Sequence, residues 1–505
     1  MVSRNVIQQK KFIGFLPLIV IFFVGLGFRV YYFPYELPLV TDSLSYFSYS
    51  TETIFLGHLP TTWTPINNGW PMFMSFWFSI VNLENTLQYM QLQRFISLSL
   101  SVLTVIPIYF LCRKFFNSKL SLVGASLFIF DPRIILNSLL GITEPLFILL
   151  STISLVLFLK YGRREIIFSF ILASFCTIIR SEGIFLFLAL TVLFFIKYRE
   201  RREILKTYLP GLIIFSLILI PVIDYRIEIT GTDGIFLRAT QGTTQTLSTI
   251  NQDGIEKIFE GIKLFVSYLG WIMIPSFIAF VPFGVIQFFK KRNKDTNFII
   301  VFLIINLIPI LYAYIMQAHD TRYIYVLYPI FCIVSLFAIE KYISKSNQKN
   351  IILSFIIVGI LVSSIVFYEY KKIDYEKEIE MYEIGKITTQ ITSGINSHPT
   401  ESKYTRAAEI PKEWPFVFHD DMYKIKIIST KGYDNLEDYI FDSRNQLTHI
   451  IVDDDPKLPK FLKDVNENEE KYEYLKKIFD SKNEGFKHQV KIFEIDFQRF
   501  DSINS

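Results

Sequence analysis

The stretch Gly141-Ile142-Thr143-Glu144-Pro145-Leu146-Phe147-Ile148-Leu149-Leu150-Ser151-Thr152-Ile153-Ser154-Leu155-Val156-Leu157-Phe158-Leu159-Lys160 decides the fold. It carries one carboxylate, Glu144, at its start and no further charge until Lys160, which opens a basic cluster with Arg163 and Arg164. About 20 apolar residues in a row match the hydrocarbon thickness of a bilayer, so residues 141–160 read as a membrane span. Lysine and arginine collect on the cytoplasmic side of such spans. Lys160 therefore marks the inner end, and Glu144 sits at the outer one.

The same charge pattern repeats along the chain. Basic clusters recur at Arg4, Lys10 and Lys11, at Arg113, Lys114 and Lys119, from Lys197 to Lys206, at Lys290, Lys291, Arg292 and Lys294, and at Lys341, Lys345 and Lys349. All fall on alternate connections. The others carry Asp42, Asp131, Arg133, Glu144, Arg180, Glu182, His319, Asp320 and Arg322 near span ends, and these face outward. With 505 residues, 51% hydrophobic content and 50 phenylalanines, the chain is too apolar for an ordinary soluble domain. The net charge of +4 belongs mostly to the inner turns and gives no reason to expect a nucleic-acid partner. Cys112, Cys176 and Cys332 lie dispersed in apolar segments, with neither metal-ligand nor disulfide spacing, and read as packing residues.

The expected fold is mainly α, a polytopic transmembrane helix bundle of about eleven spans with a small C-terminal α/β domain. The spans are placed near residues 12–32, 94–112, 119–137, 141–160, 165–180, 182–197, 204–224, 262–289, 297–317, 322–340 and 350–369. The first shows no small-residue cleavage site and reads as an uncleaved anchor with a cytoplasmic N-terminus. Residues 1–370 form the membrane domain, with a first outer loop at 33–93 and a second at 225–261. The first loop carries Trp63, Trp70 and Trp77 and reads as a segment lying at the headgroup level; the alternative is a further pair of short spans, which would flip the downstream topology and spoil the charge alternation. Residues 371–505 are more charged and fall outside the membrane. Helical spacing covers 371–391, strand-like runs lie at 416–418, 425–428, 449–452 and 490–497, and a helix is expected over 469–479.

Asp42, about ten residues past the first span, suits a general base toward a hydroxyl or amine, or a helix N-cap, and the two roles are compatible. Glu144 has two readings: a charge kept near a span for a partner or function, or a helix-start carboxylate favoured by the macrodipole. Arg180-Ser181-Glu182-Gly183 joins two spans and suits a helix-bridging ion pair. Arg322, in His319-Asp320-Thr321-Arg322-Tyr323, carries the fork that binds phosphate bidentately, or snorkels to the interface. Asp131-Pro132-Arg133 has the composition of a turn.

Asp42 with Tyr46, Thr143-Glu144-Pro145-Leu146-Phe147, Arg180-Ser181-Glu182-Gly183, and Arg322-Tyr323 followed by Pro329 resemble, in this order, the GT-C superfamily of membrane glycosyltransferases. The closest likeness is to the branch of protein O-mannosyltransferases and lipid A aminoarabinose transferases, over roughly residues 10–370. The resemblance implies a polyprenyl-phosphate sugar donor of the dolichyl-phosphate type, inversion at the anomeric carbon, and Asp42 as catalytic base. Ser43 stands where the family commonly has a second acid. It further implies cationic side chains on the donor phosphate, for which Arg322, Arg180 and Arg133 are the candidates. Tyr46, Glu144, Glu182, His319 and Tyr323 would line the substrate cavity. Some members hold a divalent metal, toward which Asp131 or Glu144 would contribute. The acceptor would be a protein, lipid or glycan, met at the extracytoplasmic face of the cell membrane or, in a eukaryote, of the endoplasmic reticulum. The outer tail has no Trp-Trp-Asp motif of oligosaccharyltransferases, which argues against transfer of a whole glycan. The rival reading is a transporter or flippase of a lipid-linked or small substrate. Transporters place ionisable residues and internal repeats near the midplane, whereas here they sit at span ends and no repeat is evident.

Overall fold

The computed structural model describes residues 2–60, 68–198, 200–231, 233, 256–291, 296–344, 346–371, 375–392, 430, 432–445, 447–454 and 458–504. They divide into two compact units: residues 1–33, 41–76 and 93–372, and residues 34–40, 77–92 and 373–505.

The first unit is helical. Five helices in the described residues are long and apolar enough to cross a membrane: Thr86–Cys112, Arg201–Glu228, Asn297–Ile315, Thr321–Ser344 and Lys349–Tyr370. A sixth span forms if Ser118–Ile129 and Pro132–Ser138 are taken as one, bent by 53°. The bend falls where Asp131 and Pro132 stand. Pro132 has no N–H to continue the ladder, and Asp131 caps the second helix by accepting from the backbone N–H groups of Arg133 (3.0 Å) and Ile134 (3.3 Å). The turn composition there is thus a helix break. Phe15–Tyr31, Glu144–Phe158 and Gly183–Lys197 are shorter apolar helices. The chain is a multi-pass membrane protein.

Three expectations need correction. Residues 262–289 are not one helix: 256–273 and Val281–Lys290 are separate helices, parted by turns over 274–280 where Pro275 stands. The first outer loop is largely helical, as Asp42–Leu56 and Gly69–Ile80, and the helix expected from residue 94 already starts at Thr86. Trp70 is no interfacial anchor: it is fully buried, and its indole N–H donates to the Gly141 carbonyl at 3.2 Å. Trp63 lies outside the described residues. All three cysteines are buried and free.

Close backbone approaches fix this packing. A Cβ on Gly69 would lie 2.7 Å from Ile179 Cα, and one on Gly183 would lie 2.4 Å from the Cys176 carbonyl carbon. Glycine is what lets helix Gly69–Ile80 start against the chain just before Arg180. Gly69→Ala is expected to cost about 1–3 kcal/mol through overpacking. Thermal unfolding of the purified protein measures it, and an unchanged midpoint would show that the helices part freely.

The second unit contains an antiparallel sheet of β1 (His449–Asp453), β2 (Leu475–Asp480) and β3 (Val490–Ile495) in the order β1-β3-β2. Helices Leu436–Ser443, Lys460–Glu467 and Phe497–Asn504 accompany it. Tyr439, Ile440, Ile450, Val452, Leu462 and Phe493 lie in its core. Asp464 accepts from Lys471 (2.6 Å), Tyr472 (2.5 Å) and Asn468 (2.7 Å), which holds its carboxyl below the usual range. The helix expected over 469–479 is absent: one 3-10 turn, Glu469–Lys471, is followed by strand β2. Helix-forming glutamates and lysines are overruled there by pairing with β3. The strand-like runs at 416–418 and 425–428 lie outside the described residues.

Candidate functional site

Asp42 opens helix Asp42–Leu56, but it is not the cap: Thr41 holds that position, at φ 53° and ψ −127° and without a side-chain cap bond. A β-branched residue at positive φ is strained. Thr41→Gly is expected to raise stability by about 1 kcal/mol, read as an upward shift in melting temperature. A downward shift would mean the threonine side chain holds the turn.

The Asp42 carboxylate is instead tied to Arg322, whose Nη2 donates to its Oδ2 at 2.9 Å. Arg322 belongs to a 3-10 turn, Thr321–Leu327, capped by Asp320. Asp320 accepts from the Arg322 backbone N–H (2.9 Å) and from its Nε (2.5 Å). The guanidinium is therefore fixed from below, and its Nη1 lies 3.9 Å from Glu144 Oε1. Packing into a carboxylate cluster, rather than snorkelling, sets its place.

Glu144 is 3% exposed at the start of its helix. Arg180 Nη1 donates to its Oε1 and, at 3.2 Å, to Thr143 Oγ1, while Nη2 donates to Glu182 Oε1 at 2.9 Å. The bridge between helices expected of Arg180 and Glu182 is thus present, and it reaches a third helix through Glu144. Half-buried Tyr46, on the Asp42 helix, lies within electrostatic reach of Arg180. Four carboxylates, from Asp42, Glu144, Glu182 and Asp320, share two guanidinium groups, leaving two negative charges in excess.

A cavity of about 410 Å³, its open mouth included, has Glu144, Arg180, Glu182, Arg322 and Tyr323 in its wall, with Asn306 and Tyr325 and an apolar side from Phe147 and Ile310. Asp42 meets this wall through Arg322. The structure does not bring every candidate here. His319 is exposed and absent from the wall. Arg133 is also absent from it: its guanidinium stacks on Trp271 and Phe367, at 4.6 and 5.0 Å. Asp131 is fully buried and takes Tyr328 Oη on Oδ1 at 3.3 Å besides capping its helix.

Two further residues hold the site together. Gln93, fully buried, donates from Nε2 to the Ser43 carbonyl (3.0 Å) and the Gly141 carbonyl (2.8 Å), clamping the segments that bear Asp42 and Glu144. Trp70 donates to the same Gly141 carbonyl. Gly141 stands at φ 78° in the turn that aims Glu144, a conformation glycine adopts without strain. Asp320 was visible as an acid two residues before Arg322. Nothing in the sequence singled out Gln93.

No protein-family model matches the sequence, and no curated protein matches it. Solved structures do match. The oligosaccharyltransferase AglB from Archaeoglobus fulgidus, in complex with an inhibitory peptide and a dolichol-phosphate, superposes with a TM-score of 0.58 at 12% identity, over 88% of this chain and 70% of AglB. ArnT from Cupriavidus metallidurans bound to undecaprenyl phosphate superposes with a TM-score of 0.55 at 9% identity, over 94% of this chain and 96% of ArnT. Both are GT-C glycosyltransferases.

The chain has the GT-C fold.

At these identities the likeness concerns architecture, and a GT-C fold by itself assigns no substrate. One AglB structure is a complex with Zn and sulfate. Among the described residues of this chain, no three His, Cys, Asp or Glu side chains are arranged to hold a metal ion. The two acids expected to contribute are already engaged, Asp131 as a buried cap and Glu144 with Arg180. Among the described residues, neither acid is therefore free to serve as a metal ligand.

Proposed function

We propose that this protein is an inverting glycosyltransferase that moves a sugar from a polyprenyl-phosphate donor to an acceptor at the extracytoplasmic face of its membrane. The observation that carries this reading is the convergence of Asp42 and Arg322, 280 residues apart, at the edge of a cavity walled by Glu144, Arg180 and Glu182. The phosphodiester of the donor meets Arg322, with Arg180 beside it, and the sugar enters the cavity. An anion approaching a cluster with excess negative charge must displace a carboxylate. The Asp42 contact is the one to yield, because Asp42 is the most exposed acid of the set, at 54%, while Glu144 is buried and Asp320 holds Arg322 through two bonds.

Donor binding thereby frees the base. The acceptor oxygen or nitrogen attacks the anomeric carbon as its proton passes to Asp42 Oδ2. The bond from that carbon to the phosphate oxygen breaks on the opposite face, and polyprenyl phosphate leaves with one more negative charge, stabilised by Arg322. The full arrangement of about eleven spans, with an inner N-terminus and residues 371–505 outside, is part of this reading. The test is incubation of the purified chain with radiolabelled polyprenyl-phosphate sugars and candidate acceptors. Label should leave the lipid. Movement of intact donor across vesicles without transfer would instead establish the flippase.

A further inference from the structure

Arg133 is charged, 7% exposed, and apart from the cavity just described. Trp271 and Phe367 satisfy its faces by cation–π contact, at 4.6 and 5.0 Å. Its edge is another matter: Nε and Nη2 are both buried and donate to nothing among the described residues. These two N–H groups point the same way and form the edge with which arginine grips an oxyanion bidentately. A buried donor left unpaired is costly, and more so on a cation. Asp131 does not answer it: its Oδ1 is taken by backbone N–H groups and Tyr328, and its Oδ2 has no hydrogen-bond partner among the described residues.

A second cation stands close by. The Lys371 ammonium lies 5.0 Å from the centroid of the same Trp271 ring, which is 41% exposed. Phe367 and Lys371 come from the end of helix Lys349–Tyr370, whose apolar window is only 17% buried and so presents most of its surface to lipid. Arg29 also faces Asp131, so the positive charges of Arg29, Arg133 and Lys371 outnumber the one carboxylate, which suits an anionic headgroup. Basic pockets beside spans near the headgroup level are suited to lipid phosphates.

We propose that the Nε–Nη2 edge of Arg133, together with Lys371, forms a second anion site that holds the phosphodiester or phosphate of a membrane lipid. This site is independent of the transferase reading. Its ligand comes from one of two sources, an anionic phospholipid or a polyprenyl phosphate.

Native mass spectrometry of the full chain, released from phosphatidylcholine nanodiscs after titration with phosphatidylglycerol in one arm and polyprenyl phosphate in the other, counts the retained lipids. At least one arm should show a lipid whose retention falls about tenfold or more in Arg133→Gln, as expected for a lost charge-assisted bidentate contact. Arg133→Lys should also weaken it, because charge without the fork is not enough. Lys371→Gln, on an exposed side chain that poses no folding problem, should weaken it as well. Arg322→Gln should leave this lipid in place while removing any polyprenyl phosphate bound at the proposed donor site, which separates the two sites. The arm that responds identifies the source. Retention unchanged in both Arg133→Gln and Lys371→Gln, no retention in either arm, or equal competition by phosphatidylcholine would overturn the proposal.

Discussion

Replacing Asp42 by asparagine is expected to lower sugar transfer by about 10²–10⁴-fold, the range over which a positioned general base contributes, while the protein remains folded and inserted. Asp42 is 54% exposed, and exposed ion pairs are worth at most about 1 kcal/mol. Melting temperature should therefore scarcely move. The same change removes a competitor for the Arg322 Nη2, so polyprenyl phosphate should bind Asp42→Asn more tightly than the unaltered protein. Single-turnover transfer from a radiolabelled donor and equilibrium binding of polyprenyl phosphate measure the two effects on one preparation. Activity lost with affinity gained fits a base held in reserve by Arg322. Undiminished transfer would remove Asp42 from the chemistry, and weakened phosphate binding would contradict the displacement step.

The second large effect concerns stability. Arg180→Met strips Glu144 of its nearest partner, and Glu144 is buried, with a side-chain exposure of 4%. Leaving a buried charge uncompensated costs about 3–5 kcal/mol. Arg322 Nη1, at 3.9 Å, is too far for a good hydrogen bond and offsets only part of this. Adding Glu144→Gln to Arg180→Met should recover stability, with a coupling of about 1–3 kcal/mol in a double-mutant cycle. Denaturant unfolding in detergent reads all four corners. A loss below about 1 kcal/mol for Arg180→Met would mean that Glu144 is not desolvated as the geometry has it.

Much of this arrangement was legible in the sequence because hydropathy and charge report directly on a bilayer. Glu144, Arg180, Glu182 and Arg322 interrupt long apolar stretches, and an ionisable group beside hydrocarbon needs a partner or a function. Those four line one cavity. The same condition also pointed to Asp42, Asp131, Arg133, His319 and Asp320; Asp42 and Asp320 reach the cavity through Arg322, and Asp131, Arg133 and His319 are not in its wall. Their pairing was not legible. Which acid faces Arg322 depends on how helix Asp42–Leu56 folds back, and that is set by two carbonyl contacts from Gln93, a residue with no local signature.

Other misses share a cause. Tryptophan in a loop suggests a headgroup anchor, yet Trp70 is fully buried, because its helix packs through Gly69 against Ile179. Arg29 and Arg94 stand within or at the edge of apolar segments. Arg29 is satisfied by Ser138 Oγ and the carbonyls of Gly25 and Ile129, and Arg94 Nε by the Leu139 carbonyl. Such partners lie on other helices, and periodicity along one helix does not reveal them. Arg133 shares its sequence signal with Arg322 but has a different setting, aromatic rings instead of carboxylates, set by helices distant in the sequence. Strand β2 was missed for the related reason that pairing with β3 outweighs local helix propensity.

A structure of the protein with polyprenyl phosphate bound would locate the donor phosphate. Phosphate oxygens are expected about 2.8 Å from the Arg322 guanidinium nitrogens, with Asp42 released and turned toward the cavity mouth. A phosphate found elsewhere, with Arg322 still bridging Asp42 and Asp320, would contradict the proposed donor site.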